Sequence, residues 1–509
     1  MDNVVDFSQI TVSRGFFVRN DAPLVPFNHW PALEGDAYTC IGTYENSGSP
    51  VREALLQAIR AAKKRIFIAA FLIDDNELVE ALLEAVDRLR GGVYVITNLD
   101  DKSLARGLED LATNDAQDET PTEELRRKQF HNLTKRGIYV RGHESCHAKF
   151  MLVDSNVAVV GSANFNRNGF EYCGELDAIV RNPDEVRRLA RLFAQLWYEG
   201  CTWEIPPGRT YTVSKRTPSA APYKAVFPPL EPGNIIWTNG DDGNQSLLQS
   251  IHNVIQGSKK SLTLATYSIC DMTGNTALLL DHLGAALARN VRIKLFIRQR
   301  NAYPRQAKEL DILHQMGIDI YADSRNHAKA VSADGERALL FSANFDAKHG
   351  LDSGVEVGVY LPLRSASVAL LDYYFEHAIS NADTRYVFNP RQSELDGKLA
   401  ARWCSACPLP KDIAIRCSID DWRMFSDLTQ NGPALFEKKE ANCFVVHTPT
   451  GEYELVPEGE TYALRHTPDT TVNTNDLLTS WLESPWRARG TGKSEPKGFL
   501  TSRITFHNK

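Results

Sequence analysis

Two histidines, two lysines and two asparagines recur along this chain in matched frames. The first frame reads HAKFMLVD and contains His147, Lys149 and Asp154; six residues then intervene before GSANF, with Gly161, Ser162 and Asn164. The second reads HAKAVSAD, with His327, Lys329 and Asp334, and six residues later comes FSANF, with Ser342 and Asn344. A glutamate follows each frame, Glu175 and Glu356. This doubled set suits cleavage of a phosphodiester at one composite site formed within one chain. The diester's negative charge repels anionic nucleophiles. Two ammonium groups, two carboxamides and serine hydroxyls can hold that charge and the charge that develops as the bond breaks. A neutral imidazole can attack phosphorus and form a phosphohistidine. A second, protonated imidazole can give its proton to the leaving oxygen and later take one from water or an alcohol. Each glutamate can hold a ring nitrogen and select its tautomer. Because the two rings would share a site, their titration belongs to the pair.

The elements that must carry these groups repeat as well. The motif copies are offset by 180 residues, and VREALLQAIRAAKKRIFIAAFLID (51–74) parallels SLLQSIHNVIQGSKKSLTLATYSI (246–269). In both, a helical pattern ends in two lysines and an apolar strand follows. Ser49 and Pro50 suit the cap and first turn of the first helix. GGVYVITNL (91–99) and NVRIKLFIR (290–298) are strand-like with period two. Gly137 and Gly317 each lie ten residues before the motif histidine and suit a helix C-terminus. On a strand, the His-x-Lys spacing places both side chains on one face. Asp154-Ser155-Asn156 suits a turn into Val157–Val160, so the motif opens a hairpin that ends at Ser162 and Asn164. Each half therefore reads as an α/β unit.

The doubled motif resembles that of the phospholipase D, or HKD, superfamily over about residues 46–390. The resemblance implies two similar α/β halves, each a mixed sheet flanked by helices, in one pseudo-symmetric unit with a shared, metal-independent site and no cofactor. It implies that His147 is the nucleophile and His327 the general acid and base. Lys149, Lys329, Asn164 and Asn344 match phosphate-binding positions, with Ser162 and Ser342 in support. Glu175 and Glu356 match the carboxylates that orient the histidines, and Asp154 and Asp334 match structural positions. One departure is visible: Phe341 stands where the first copy has Gly161. The domains expected are an N-terminal extension (1–45), half one (46–200), a Pro-rich linker (201–233), half two (234–394) and a small β-rich or α+β C-terminal appendage with a basic tail (395–509). The acidic stretch 116–125 suits a surface insertion or a lid.

The 509-residue chain has 43% hydrophobic and 24% charged residues, which suits a globular protein of two or three domains. Its net charge of −7 gives no global polyanion-binding signal, so nucleic-acid affinity would need a local basic patch. Nine cysteines at irregular spacing suit a reducing compartment. No signal peptide or membrane span is evident, so the expected location is the cytoplasm. Cys404 and Cys407 form C-S-A-C without a second close ligand pair, which disfavours zinc. Cys146 suits a packed small residue. The form GSANF-N-R-N-G followed by Glu resembles nuclease-type members of the superfamily. RQRNAYPRQAK (298–308) offers Arg298, Arg300 and Arg305 to a nucleic-acid backbone, and Trp486 and Phe499 interleave with the basic tail. The leading expectation is therefore a nuclease, with DNA as preferred partner. The alternative is a soluble phospholipase D or phosphatidyltransferase acting on phospholipid head groups. A nucleic-acid-binding scaffold without turnover is a third reading.

Overall fold

The computed structural model describes residues 15–19, 36–44, 48–98, 130–208, 213–219, 232–299, 304–323, 325–382, 384–388, 400–402, 412–416, 435–438, 444–448, 451–458, 461–466 and 505–506. The chain forms two compact units. One comprises 26–298 and 325–378, and the other 1–25, 299–324 and 379–509.

All the motif residues lie in the first of these units, which contains the repeat. Its first half runs β1 (Tyr38–Thr43), α1 (Pro50–Ala61), β2 (Ile66–Ala69), α2 (Asn76–Arg88), β3 (Val93–Asn98), β4 (Tyr139–His143), β5 (Phe150–Val153), β6 (Val157–Gly161), β7 (Glu175–Val180) and α3 (Pro183–Gln195). The short strands β8 (Trp203–Ile205) and β9 (Ser214–Lys215) complete its sheet. The second half runs β10 (Ile235–Asn239), α4 (Ser246–Gly257), β11 (Ser261–Thr266), α5 (Leu280–Ala288), β12 (Arg292–Arg298), β13 (Ala330–Ala333), β14 (Arg337–Phe341), β15 (Val355–Tyr360) and α6 (Ala366–Ser380).

The strand order β4-β3-β2-β5-β6-β7-β1 of the first half matches β12-β11-β13-β14-β15-β10 of the second, with β12 in the place of β3. In each, the strand after the first helix pairs parallel on one side and antiparallel on the other (β2 with β3 and β5; β11 with β12 and β13). The sheets are therefore mixed, as the resemblance implied. β1 lies within the stretch read as an N-terminal extension, and β8 and β9 lie within the stretch read as a linker. Both additions pair with the first sheet: β1 on β7, β8 on β4.

The apolar spacing explains how the helices cover these sheets. α1 buries Val51, Leu55, Leu56, Ala58 and Ile59, and α4 buries Leu247, Leu248, Ile251, Val254 and Ile255. Pro50 opens α1 as expected, but the Ser49 side chain makes no cap bond. Gly137 and Gly317 have φ of +99° and +100°, a left-handed conformation that glycine adopts at least cost.

The two lysines that follow α1 and α4 have a backbone role. Asp154 (φ 57°) turns back so that its carboxylate accepts the N–H groups of Lys63, Lys64 and Arg65 at 2.8–2.9 Å. Asp334 (φ 60°) does the same for Lys259, Lys260 and Ser261 at 2.7–2.9 Å. Each motif aspartate thus ties the end of its hairpin strand to the start of the neighbouring strand. Burial raises each carboxyl, but the three backbone donors outweigh it and hold both below the usual carboxylate range. A depressed folded-state value gives stability that is present above the ordinary carboxylate range and lost as pH falls through the lowered one. Asp154→Ala is expected to cost about 2–3 kcal/mol at neutral pH, because it strands charge-assisted donors. Denaturant melts should show that difference shrinking in acid, and an unchanged midpoint at pH 7 would remove this role.

In the other unit, Gly15–Arg19 and Asp319–Asp323 both pair antiparallel with Thr384–Phe388. A seven-stranded sheet runs Leu435–Lys438, Phe444–Thr448, Gly451–Glu458, Thr461–His466, Asp412–Arg416, Ala400–Arg402 and Thr505–Phe506. The C-terminal region is therefore β-rich in its described part. The stretch 116–125, Arg300, Cys404, Cys407, Trp486 and Phe499 lie outside the described residues.

Candidate active site

His147 and His327 lie on short extended segments just before β5 and β13 rather than within those strands. Each segment is fixed by the opposite half. His147 N–H donates to the Val355 carbonyl (3.0 Å), and Val355 N–H donates to Ser145 (2.9 Å). Reciprocally, His327 N–H donates to the Gly174 carbonyl (2.9 Å), and Gly174 N–H donates to Arg325 (3.0 Å). Val355 and Gly174 are the residues just before Glu356 and Glu175. The backbone pairing therefore delivers each glutamate to the histidine of the other half.

The side chains follow that exchange. Glu356 Oε1 lies 2.8 Å from His147 Nδ1, and Glu175 Oε1 lies 2.6 Å from His327 Nδ1. On the other ring edge, Lys149 Nζ is 2.9 Å from His147 Nε2, and Lys329 Nζ is 3.0 Å from His327 Nε2. A carboxylate only accepts and an ammonium only donates. The arrangement therefore assigns both rings as the neutral Nδ1–H tautomer, with Nε2 lone pairs facing the lysines. Each lysine also donates to its own histidine's carbonyl, at 3.0 Å for Lys149 and 2.9 Å for Lys329. Both lysines are fully buried. Buried charges must be paired, and here two ammonium and two carboxylate groups balance.

The serines hold the carboxylates. Ser162 Oγ donates to Glu175 Oε2 (2.5 Å) and accepts the Leu176 N–H (2.9 Å). Ser342 Oγ likewise donates to Glu356 Oε2 and accepts the Val357 N–H (3.0 Å). These hydroxyls orient the orienting groups, a task different from the phosphate contact expected of them. Asn164 and Asn344 follow two residues later in the same loops; Asn164 is buried and Asn344 half-buried.

An aromatic ring backs each imidazole at a matching position: Phe71 edge-on to His147 (centroids 5.6 Å) and Tyr267 edge-on to His327 (5.1 Å). The sequence signal was present in IFIAAF and LTLATY, where the aromatic follows the strand, but an apolar strand end reads as core. Burial pushes the Cys146 thiol up to about 12, which suits packing and not attack.

The Gly161/Phe341 departure has a partner on the adjacent strand. In the β6–β7 register Gly161 faces Asp177, whereas in β14–β15 Phe341 faces Gly358. A Cβ at Gly161 would collide with the Asp177 carboxyl and with the Leu176 carbonyl, and the Phe341 side chain packs against Gly358. Gly161→Phe alone is expected to destabilise by about 3 kcal/mol or more through overpacking. Adding Asp177→Gly should restore part of the loss, the clash with the Leu176 carbonyl remaining, a non-additivity that thermal melts of the three variants would read. Additive losses would refute the pairing. Asp177 did not stand out in the sequence; its signal was the contrast of E-L-D with E-V-G.

Arg298, expected on a nucleic-acid backbone, is buried at 6% exposure, with its guanidinium 5.1 Å from the Tyr267 ring centroid. Arg305 belongs to Pro304–Gln315 in the other compact unit. The described residues thus assign no backbone-tracking role to Arg298.

The cardiolipin synthase, PLD-like domain family model matches residues 55–197 and 251–379, more than half of the chain. Cardiolipin synthase 2 of Bacillus cereus (strain ATCC 14579) is 25% identical over 186 residues, 35% of this chain and 33% of that protein. Cardiolipin synthase 1 of Bacillus anthracis is 28% identical over 146 residues, 28% of this chain and 25% of that protein. The chain therefore spans about a third or less of the length of these relatives. Among solved structures, a phosphatidylserine synthase of Haemophilus influenzae aligns with TM-score 0.48 and 14% identity, over 70% of this chain and 88% of that one. The matched family model and the two cardiolipin synthases overturn the nuclease expectation, with its endonuclease and DNA-binding corollaries. The GSANF-N-R-N-G form that suggested it shapes the loop holding Ser162 and Asn164, and a loop around a phosphate does not report the groups attached to it.

Proposed function

The chain belongs to the phospholipase D superfamily, by its match to the cardiolipin synthase, PLD-like domain, and from that premise we propose that it cleaves or exchanges phospholipid head groups through a phosphohistidine. The reading rests most on the exchange of glutamates, which makes two histidine–lysine pairs into one site. The matched family and relatives support a phospholipid as the diester. No helix among the described residues is long and apolar enough to cross a membrane.

In the proposed reaction the substrate phosphate draws Lys149 and Lys329 away from the imidazoles. The freed His147 Nε2 attacks phosphorus, while the head-group P–O bond breaks and the leaving oxygen takes a proton from His327 Nε2. An alcohol or water then gives its proton to His327 and displaces His147, which regenerates the site. Glu356 and Glu175 hold the Nδ1 protons throughout, and Asn164 and Asn344 donate to the phosphoryl oxygens.

The test is incubation of purified protein, in chelator, with phosphatidylglycerol vesicles, phosphatidylcholine vesicles and labelled DNA. Cardiolipin with free glycerol, or free choline, is the expected outcome. Intact phospholipid alongside degraded DNA would overturn the proposal.

A further inference from the structure

The two halves supply identical reacting groups, yet the reaction needs one neutral ring and one protonated ring at its start. Asp177 is the difference on the page. It lies on the same strand face as Glu175, two residues on, and is fully buried. Its carboxyl accepts the Ala163 N–H, between Ser162 and Asn164, and lies within range of the charges of Lys149 and Lys329. Its Oδ2 has no hydrogen-bond partner among the described residues. The corresponding place in the second half is Gly358, so no such carboxyl stands beside Glu356.

Counting charge shows what this carboxyl can do. With both rings neutral, Lys149 and Lys329 balance Glu175 and Glu356. Adding a proton to one imidazole leaves the buried site one positive charge in excess, which is costly at low dielectric. Ionised Asp177 restores neutrality, and it does so beside Glu175, the partner of His327. We propose that Asp177 is a positioning residue for the proton of the reaction: its carboxylate balances the imidazolium of His327 and makes His327, not His147, the ring that carries the proton into the first step.

The surroundings are consistent with a proton that moves between the two groups. Burial and then the Glu175 charge push the Asp177 carboxyl well above its usual range. Cys40, on the adjacent strand β1, is a buried thiol that burial keeps neutral, so it adds no charge. His147 is also the more open ring, with 17% side-chain exposure against 3% for His327. The inference rests on the acid role read for His327 but not on which phospholipid is cleaved.

The test therefore begins without substrate. The chain has 13 histidines, so ¹⁵N-histidine spectra of the full chain are assigned with His147→Gln and His327→Gln. In Asp177→Asn, the imidazolium signal of His327 should vanish at a pH lower by on the order of one unit than in wild type, while that of His147 moves far less. Unchanged signals, or equal movement of both rings, would overturn the proposal and leave Asp177 as filler over Gly161. Should Asp177→Asn fail to fold, Asp177→Ala removes the same carboxyl and leaves Gly161 unchanged. Kinetics with phosphatidylglycerol vesicles add a second readout. The alkaline limb of kcat/KM should move to lower pH in the variant while kcat changes little, because a bound phosphodiester brings its own negative charge. A shift confined to kcat would count against the proposal; absence of any turnover in wild type would bear on the substrate reading alone.

Discussion

His147→Ala is expected to lower phosphodiester turnover by at least about 10⁴-fold, with no covalent intermediate formed. The same loss of steady-state turnover is expected of His327→Ala, but for a different reason, and an activated diester separates the two. With bis(p-nitrophenyl) phosphate the leaving group needs no proton. His327→Ala should then still form the His147–phosphoryl bond and release one equivalent of p-nitrophenolate in a burst. It should stall there, because no base remains to activate water. His147→Ala should give no burst. Acid-labile, base-stable label retained on the protein after the burst identifies the phosphohistidine. A burst from His147→Ala, or its absence from His327→Ala, would reverse or remove the assignment of roles.

Glu356→Gln should slow that burst by about 10²–10³-fold, whereas Glu175→Gln should leave the burst nearly intact and slow the following steady state by a similar factor. The contrast follows from the crossed pairing: Glu356 holds His147 at 2.8 Å, and Glu175 holds His327 at 2.6 Å. Glutamine keeps the shape of the side chain but loses the charge that supports a cationic ring. Rapid-quench measurement of both phases decides the matter. If the glutamates served their own halves, Glu175→Gln would be the variant that slows the burst.

The sequence carried the repeat, the mixed α/β halves and every residue of the doubled motif, because fixed spacing in a doubled motif survives projection onto one dimension. It did not carry the exchange of glutamates. Glu175 is 28 residues from His147 along the chain and 152 from His327, and only the pairing of Gly174 with Arg325 and His327 makes the distant histidine its neighbour. Ser162 read as a phosphate ligand because a hydroxyl beside an asparagine looks available; its bonds to Glu175 and Leu176 depend on strand register. Arg298 read as surface because its neighbours in sequence are basic and polar, yet it ends a buried strand beside Tyr267. The Gly161/Phe341 difference looked like a local irregularity, and its cause lay on the adjacent strand, sixteen and seventeen residues further along. The substrate class was misjudged because the motif specifies how a phosphoryl group is held and says little of its substituents.

The crossed backbone bridges at Val355 and Gly174 have a consequence for reliability. A slip in how the lobes dock would misplace both carboxylates at once, so a misassembled molecule would be silent and not half-competent. On the proposed mechanism, turnover is thereby a coincidence detector for correct assembly: it switches on only when both seams close together.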